Sequence, residues 1–463
     1  MVLATVVAAA AAATASAGTP ARWDRVTAAD DGATYQAGLA RTDDGTLHVA
    51  WLKTEPGNTR SLQHTPISRR GAIGAAGTIQ PAWAFMANPD LILTPDRGLR
   101  VFFGGQRTTV TGDPNSEMNT ATADPSGSIW TLQPFDAARG AQAGSDAGAA
   151  TAADGTPFVS WWATSGVFVH RGVSPLDPNF DYQGALGGCC GYLPDLAVDG
   201  ATGQMVLAWF SNAAGRQGVW AQPVDAATGA PAGAPAPMPG SATNGESVQM
   251  VSRTPVTGRP GQPGVYVAYP GGHPAQNRVL LWQVGSPAAR VLARARNATY
   301  DQTGIAAAPD GRLWAFWSEK AGGRYRIVAA RSNPAATRFG AQVQMRPPRG
   351  SVDDFHLDGN AQAGRLDLLG AFGRVEGTST WHRQVLPGLT LVATRRDRRG
   401  AVNVRARVLD AGDPVAGVTV RAGGRRATTN RRGRVTLRLR GAGRRLRVTA
   451  TGDGYTTARI TVR

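Results

Sequence analysis

Residues able to hold a ligand recur along the chain, each group standing just ahead of a short apolar run. They are Tyr35 and Gln36, Asn88 and Asp90, Asp146, Tyr192 and Asp195, Glu246 and Gln249, Asp301 and Gln302, and Asp353 and Asp354. Carboxylates and amides beside tyrosines can grip a carbohydrate or a peptide by hydrogen bonding and stacking. Two carboxyls held ~5–5.5 Å or ~6.5–9.5 Å apart could instead cleave a glycosidic bond. The plainer alternative is a set of turn caps facing solvent.

Other chemistries are excluded by residue type and spacing. The six histidines, His48, His64, His170, His273, His356 and His382, lack the spacing of metal ligands, so no metal is expected. There is no G-x-S-x-G elbow, no P-loop and no dinucleotide fingerprint opening a helix, so no cofactor is expected either. The two cysteines are adjacent, Cys189 and Cys190, between glycines. In an oxidising compartment they would close a strained eight-membered disulfide ring beside Tyr192; two free thiols or intermolecular bonds are the other possible states.

The elements that must position these residues repeat. Gly38 to Trp51, Gly148 to Trp161 and Gly304 to Trp317 align without a gap, each with an Asp-Gly pair at the same place. Asp195 to Trp209 is a looser copy, and weaker ones end at Gly104, Tyr269 and Gly370, giving a period of about 53 residues. Each unit reads as a small-residue strand, an Asp-Gly turn expected to be of type I′, and a second apolar strand. Four short strands per unit around a ring make a β-propeller, here seven-bladed (alternatively six-bladed) over residues 18–387. The repeated tryptophans then pack between blades, and the strand around Trp23–Thr27 completes the last one.

The Asp-Gly-x-Leu-x-x-x-Trp strands resemble sialidase-like propellers of the Asp-box (BNR) type. The nearest approach to an intact box, Ala123 to Trp130, has alanine in the serine place and Pro125 in the aspartate place. The resemblance implies glycan chemistry, but no catalytic arginine triad or Tyr-Glu pair can be carried over to this chain.

From residue 388 the composition changes. Residues 388–463 hold 19 arginines against 4 aspartates, a surplus of 15 that leaves only 2 of the chain's +17 to everything before it. Arginines alternate with apolar residues: Arg405 and Arg407 flank Ala406, and Arg438 and Arg440 flank Leu439, so each pair shares one face of a strand. The stretches Asp410–Arg421, Thr428–Leu437 and Gly454–Tyr455 resemble bacterial Ig-like and carboxypeptidase-regulatory-like β-sandwich modules, which implies a spacer or adhesive unit. Arg405, Arg407, Arg438 and Arg440 are its polyanion-binding candidates. With Tyr455 the only aromatic residue there, base-specific nucleic-acid recognition is not expected.

Val2–Ala17 is a small-apolar run ending in an Ala-x-Ala site, which reads as a signal peptide over residues 1–17 and places the protein outside the cell or on its wall. No later run has the length of a membrane span. The sequence therefore favours a secreted, monomeric, non-catalytic protein that binds a glycan or protein ligand through its propeller and an anionic cell-wall polymer through its basic module. A glycoside hydrolase or lyase with a divergent site is the alternative, and a passive wall component the third.

Overall fold

The computed structural model describes residues 22–33, 35–107, 117–133, 145–163, 166–172, 182–183, 191–240, 253–272, 275–374, 377–398, 401–440 and 443–463. Among these the only helical turns are two short 3-10 segments, Ala29–Asp31 and Pro56–Asn58. The remainder is strand and turn.

Among the described residues, seven antiparallel sheets, here I to VII, precede residue 388. Their innermost strands are Gly38–Arg41, Asp90–Leu93, Ser145–Thr151, Gly191–Val198, Val256–Arg259, Thr303–Ala307 and Asp353–Gln362. Each touches the innermost strand of the next sheet, and the seventh touches the first, so the sheets close a ring. The core is divided accordingly. Apolar clusters fill every gap between neighbouring sheets, two of them between V and VI, with Trp51 between VII and I, Trp161 between II and III, and Trp209 between III and IV, all buried.

The repeated glycine has a steric origin. A Cβ on Gly38 would lie 2.7 Å from the Leu91 nitrogen, and one on Gly148 would lie 2.6 Å from the Pro194 oxygen, each on the next inner strand. Inner strands this close to the axis leave no room for a side chain between them.

The Asp-Gly turns differ from the expected type I′. Gly45 N donates to Thr42 O at 2.9 Å, and only the glycine, not the aspartate, has a positive φ. The same pattern recurs at Gly155 and Gly311. The hairpins are three-residue loops, a type I turn followed by a left-handed glycine, which also matches the twist of the flanking strands. The aspartate before each glycine is a cap. Asp44, Asp154 and Asp310 each accept the backbone N–H two residues on, at 2.9, 2.9 and 3.2 Å.

The N-terminal strand Asp24–Arg25 is the outer strand of sheet VII, pairing with Gly377–Val385 in the register Asp24 to His382 and Arg25 to Trp381. Trp23 donates its Nε1 to Arg346 O at 2.8 Å and meets Phe372 edge-on, sealing the gap between sheets VI and VII. A buried network joins sheet VII to sheet I. Asp367 accepts from Arg41 at 2.7 Å and lies 2.9 Å from His382 Nε2, while Arg41 also reaches Asn360.

Beyond residue 388 two more sheets share a single apolar core around Val404, Val408, Val420, Val448 and Ala450. In the first, Leu437 and Leu439 face that core while Arg405, Arg407, Arg438 and Arg440 are exposed on the other side. This unit rests on sheet VI. Asp410, deeply buried, pairs with Arg331 and lies 3.5 Å from Arg312, and Ala341 bridges to Gly388.

Burial alone would raise the Asp367 carboxyl, but the His382 hydrogen bond and the Arg41 and Arg365 charges hold it below its ordinary range. Its folded value is then lower than its unfolded one. The stabilisation it gives is complete above about pH 4 and is lost as pH falls through the folded value. Asp367→Asn, which leaves Arg41 buried without its counter-charge, should cost about 3–5 kcal/mol in urea unfolding at pH 7, and less in acid.

Candidate functional site

The strands that start on the axis carry one arginine into it. Arg253 stands just ahead of the inner strand of sheet V, its side chain only 6% exposed. Its Nη1 donates to Pro89 O at 2.7 Å and Ala147 O at 2.8 Å, its Nη2 to Ala37 O at 2.7 Å, and Asp90 lies 3.1 Å from Nη1. The carbonyls come from the starts of sheets I, II and III. One of them is freed by a bulge: the register of sheet III slips between Ser145 and Gly148, leaving Ala147 O free to turn inward. A second bulge, between Tyr192 and Asp195 in sheet IV, leaves Leu193 O free to accept Thr254 N at 2.9 Å.

A chain of polar contacts runs outward from this hub. Gln36 Oε1 accepts Arg253 N at 2.6 Å, and Gln36 Nε2 donates to Asp358 at 2.6 Å. The Gln36 N–H donates to Asn88 Oδ1 at 2.8 Å. Asp146 accepts from Asn88 N at 3.3 Å and from Trp162 Nε1 at 2.7 Å. Asp90 also accepts Ala149 N at 2.7 Å, and Asp195 accepts its neighbour Leu196 N at 2.8 Å.

These groups surround an axial cavity of about 250 Å³ lined by Gln36, Asp90, Asp195, Arg253, Asp358 and Asn360 over an apolar wall that includes Leu39, Leu357 and Phe316. Three carboxyls thus share one guanidinium. Burial, reinforced by the charge on Asp90, raises the Asp195 carboxyl well above the carboxylate range. Burial raises Asp358 to about 6 against the pull of Arg253, and raises Asp90 as well, against Arg253 and two backbone N–H groups. For Arg253, burial works against the charge, but the surrounding carboxylates outweigh it and strengthen its hold on the proton. The cavity thus presents three carboxyls of raised proton affinity, Asp90, Asp195 and Asp358, beside the amides of Gln36 and Asn360. Mixed donors and acceptors over an apolar wall suit a hydroxyl-rich ligand. Carboxyls whose proton affinity is raised by burial, as at Asp195 and Asp358, are also what a general acid for glycoside cleavage requires.

Only part of the residue set named from the sequence meets here. Gln36, Asp90 and Asp195 line the cavity, and Asn88 and Asp146 support it from behind. Tyr35 lies under the Arg60 guanidinium, 4.4 Å from ring centre, and Tyr192 meets Trp162 edge-on at 5.0 Å. Asp301 and Asp353 lie outside the cavity, both 2.9 Å from Lys320 Nζ. Gln302 is buried; its N–H donates to Ser318 Oγ at 3.1 Å and its carbonyl accepts Ser318 N at 2.9 Å. Asp354 pairs through its backbone with Phe372; its side chain, with Glu246, Gln249, Cys189 and Cys190, lies outside the described residues.

Arg253, Asp358 and Trp162 are not among the residues singled out from the sequence. Asp358 carried a signal, since Leu357-Asp-Gly-Asn360 alternates polar residues where a strand buried on both faces would be apolar. Arg253 carried none, standing among 47 arginines.

No family model and no curated protein matches the chain. Among solved structures it is similar to a thermostable family-43 glycoside hydrolase (9% identity, 81% of this chain and 92% of that one, TM-score 0.35). It is similar also to an exo-β-1,3-galactanase from Phanerochaete chrysosporium (13%, 95% and 98%, 0.36) and to a Hadza microbial sialidase (11%, 71% and 73%, 0.40). Likeness of this degree bears on neither substrate nor reaction. What defines the class is the ring itself: sheets radiating from an axial cavity make this chain a β-propeller, all-β throughout its described residues.

Arg253→Met removes a charge that three carbonyls and Asp90 have been turned inward to meet. It should cost about 3–5 kcal/mol in urea unfolding. Asp195→Asn, at a side chain whose burial already favours the uncharged carboxyl, should cost less than half as much.

Proposed function

We propose that this chain is a secreted glycan-binding protein without catalytic activity: a seven-bladed propeller that takes sugar hydroxyls in its axial cavity, followed by a β-sandwich module that attaches to anionic envelope material. The observation that carries the reading is the cavity lining, where Asp90, Asp195 and Asp358 offer carboxyl groups, Gln36 and Asn360 amides, and Leu39 and Leu357 an apolar floor. Its size suits one sugar residue at a chain end or branch. The exposed arginine face of the C-terminal unit supports attachment, since free cationic side chains favour anionic polymers at low salt. A vicinal disulfide at Cys189 and Cys190 and export by the 1–17 segment complete the proposal.

Hydrolysis is the second reading, favoured by the raised proton affinities of the Asp195 and Asp358 carboxyls. Against it, Asp90 is engaged by Arg253 and Ala149, and Asp301 and Asp353 are tied to Lys320. A glycan-array screen beside fluorogenic glycoside assays separates the two. Binding without turnover supports the first; turnover abolished by Asp195→Asn would replace it with the second.

Protonation of Asp358 removes an acceptor. Binding of a neutral glycan should therefore weaken as pH falls through about 6, and Asp358→Asn should bind weakly with little change between pH 5 and 7.5. Titration calorimetry over that range checks both outcomes.

A further inference from the structure

The sheet formed by Arg425–Thr428, Thr419–Ala422, Leu446–Thr451 and Ala458–Val462 turns Val420, Ala422, Val448 and Ala450 to the core. Its outer face is therefore set by period two. Cross-strand register places Arg421 directly opposite Arg426 on one side and Thr449 on the other, with Arg447 opposite Thr461. Arg421, Arg425, Arg426 and Arg447, with Thr449, line one concavity of about 570 Å³ beside the Gly423–Gly424 turn.

None of these four arginines lies within ion-pair distance of a described carboxylate. Three of the module's four acids are committed elsewhere: Asp397 to Arg395, Asp410 to Arg331 and Arg312, and Asp413 to Arg338 and Arg312. Like charges directly opposite on adjacent strands repel. An oxyanion between them would relieve that repulsion and meet planar guanidinium forks whose geometry matches phosphate and sulfate oxygens. The interleaved threonines offer hydroxyls to a hydroxylated chain. The face has no aromatic side chain, and Tyr455 is turned toward Asp410 and Arg331, so bases would have nothing to stack on.

We propose that this outer face, through Arg421, Arg426 and Arg447, is a binding site for a polysaccharide carrying phosphate or sulfate groups, distinct from the Arg405, Arg407, Arg438 and Arg440 face of the other sheet. It rests on the reading of the module as an attachment unit and names the site and the chemistry.

The test compares charge-matched variants of the full chain on immobilised heparin, on a phosphomannan and on poly(dT). Arg421→Ser/Arg447→Ser should weaken polysaccharide binding about 10-fold or more, Arg421→Lys/Arg447→Lys by an intermediate amount, and Arg405→Ser/Arg407→Ser by less than about 3-fold. The preferred polymer, heparin or phosphomannan, identifies the anion. All four arginines are exposed, so unchanged thermal unfolding accompanies these results. Equal losses from the two serine pairs would overturn the site while leaving attachment standing. Absence of binding to either polysaccharide would sink attachment itself. Tighter binding to poly(dT), lost in the Arg421 and Arg447 variants, would replace the polysaccharide with nucleic acid.

Discussion

Arg253 is the contact on which the ring depends. Neighbouring inner strands of different sheets exchange no ladder of hydrogen bonds, so their polar groups at the axis need another partner. A guanidinium with five donors in a plane can serve several strands at once. Here it reaches carbonyls from three sheets and a carboxylate from one of them, while its own backbone meets Gln36. Burying an unpaired cation would cost several kcal/mol; fully met, it fixes where the strands begin.

The hub also determines what the cavity can do. Because Arg253 is used up by the protein, it is not offered to a ligand, and the groups left facing the open space are carboxyls and an amide. An anionic ligand would meet Asp90 and Asp358 there and be repelled. The propeller and the C-terminal unit therefore differ in charge: carboxyls on the axis, uncompensated guanidinium groups on the outer sheet far along the chain. The buried pairing of Asp410 with Arg331 holds the two together with acids that would otherwise neutralise the basic face.

Much of the architecture was legible in the sequence because it is periodic. Gly38, Gly148 and Gly304 mark strands packed too closely for a Cβ or a second ring, and Trp51, Trp161 and Trp317 fill the gaps between sheets; both constraints recur in three units with the same spacing, so they leave a pattern. The N-terminal strand could be assigned to sheet VII by asking which unit lacked an edge. The turn type was misread because Asp-Gly alone does not state loop length; the extra residue of the three-residue loop changes which position is left-handed. The site was legible only in part. Gln36 and Asp195 follow from their place ahead of an inner strand, but Asp301 and Asp353 occupy the same place and are drawn to Lys320 instead. Arg253 reaches the axis through bulges in its neighbours, which no local pattern announces.

The closure of sheet VII by Asp24–Arg25 sets a schedule for folding. Thr27 and Thr380, which bond across that seam, are 353 residues apart in the chain. At synthesis rates of about 5–20 residues per second, the first strand exists for tens of seconds before its partner is made. Until then it is an unpaired edge, and so is the strand that awaits it, each a template for pairing with another chain. The final seam also requires closing the longest loop in the ring, which places it late and makes it slow. A chain cut short anywhere before residue 377 would carry that open edge permanently, so premature termination threatens the neighbours of the truncated molecule as well as the molecule itself.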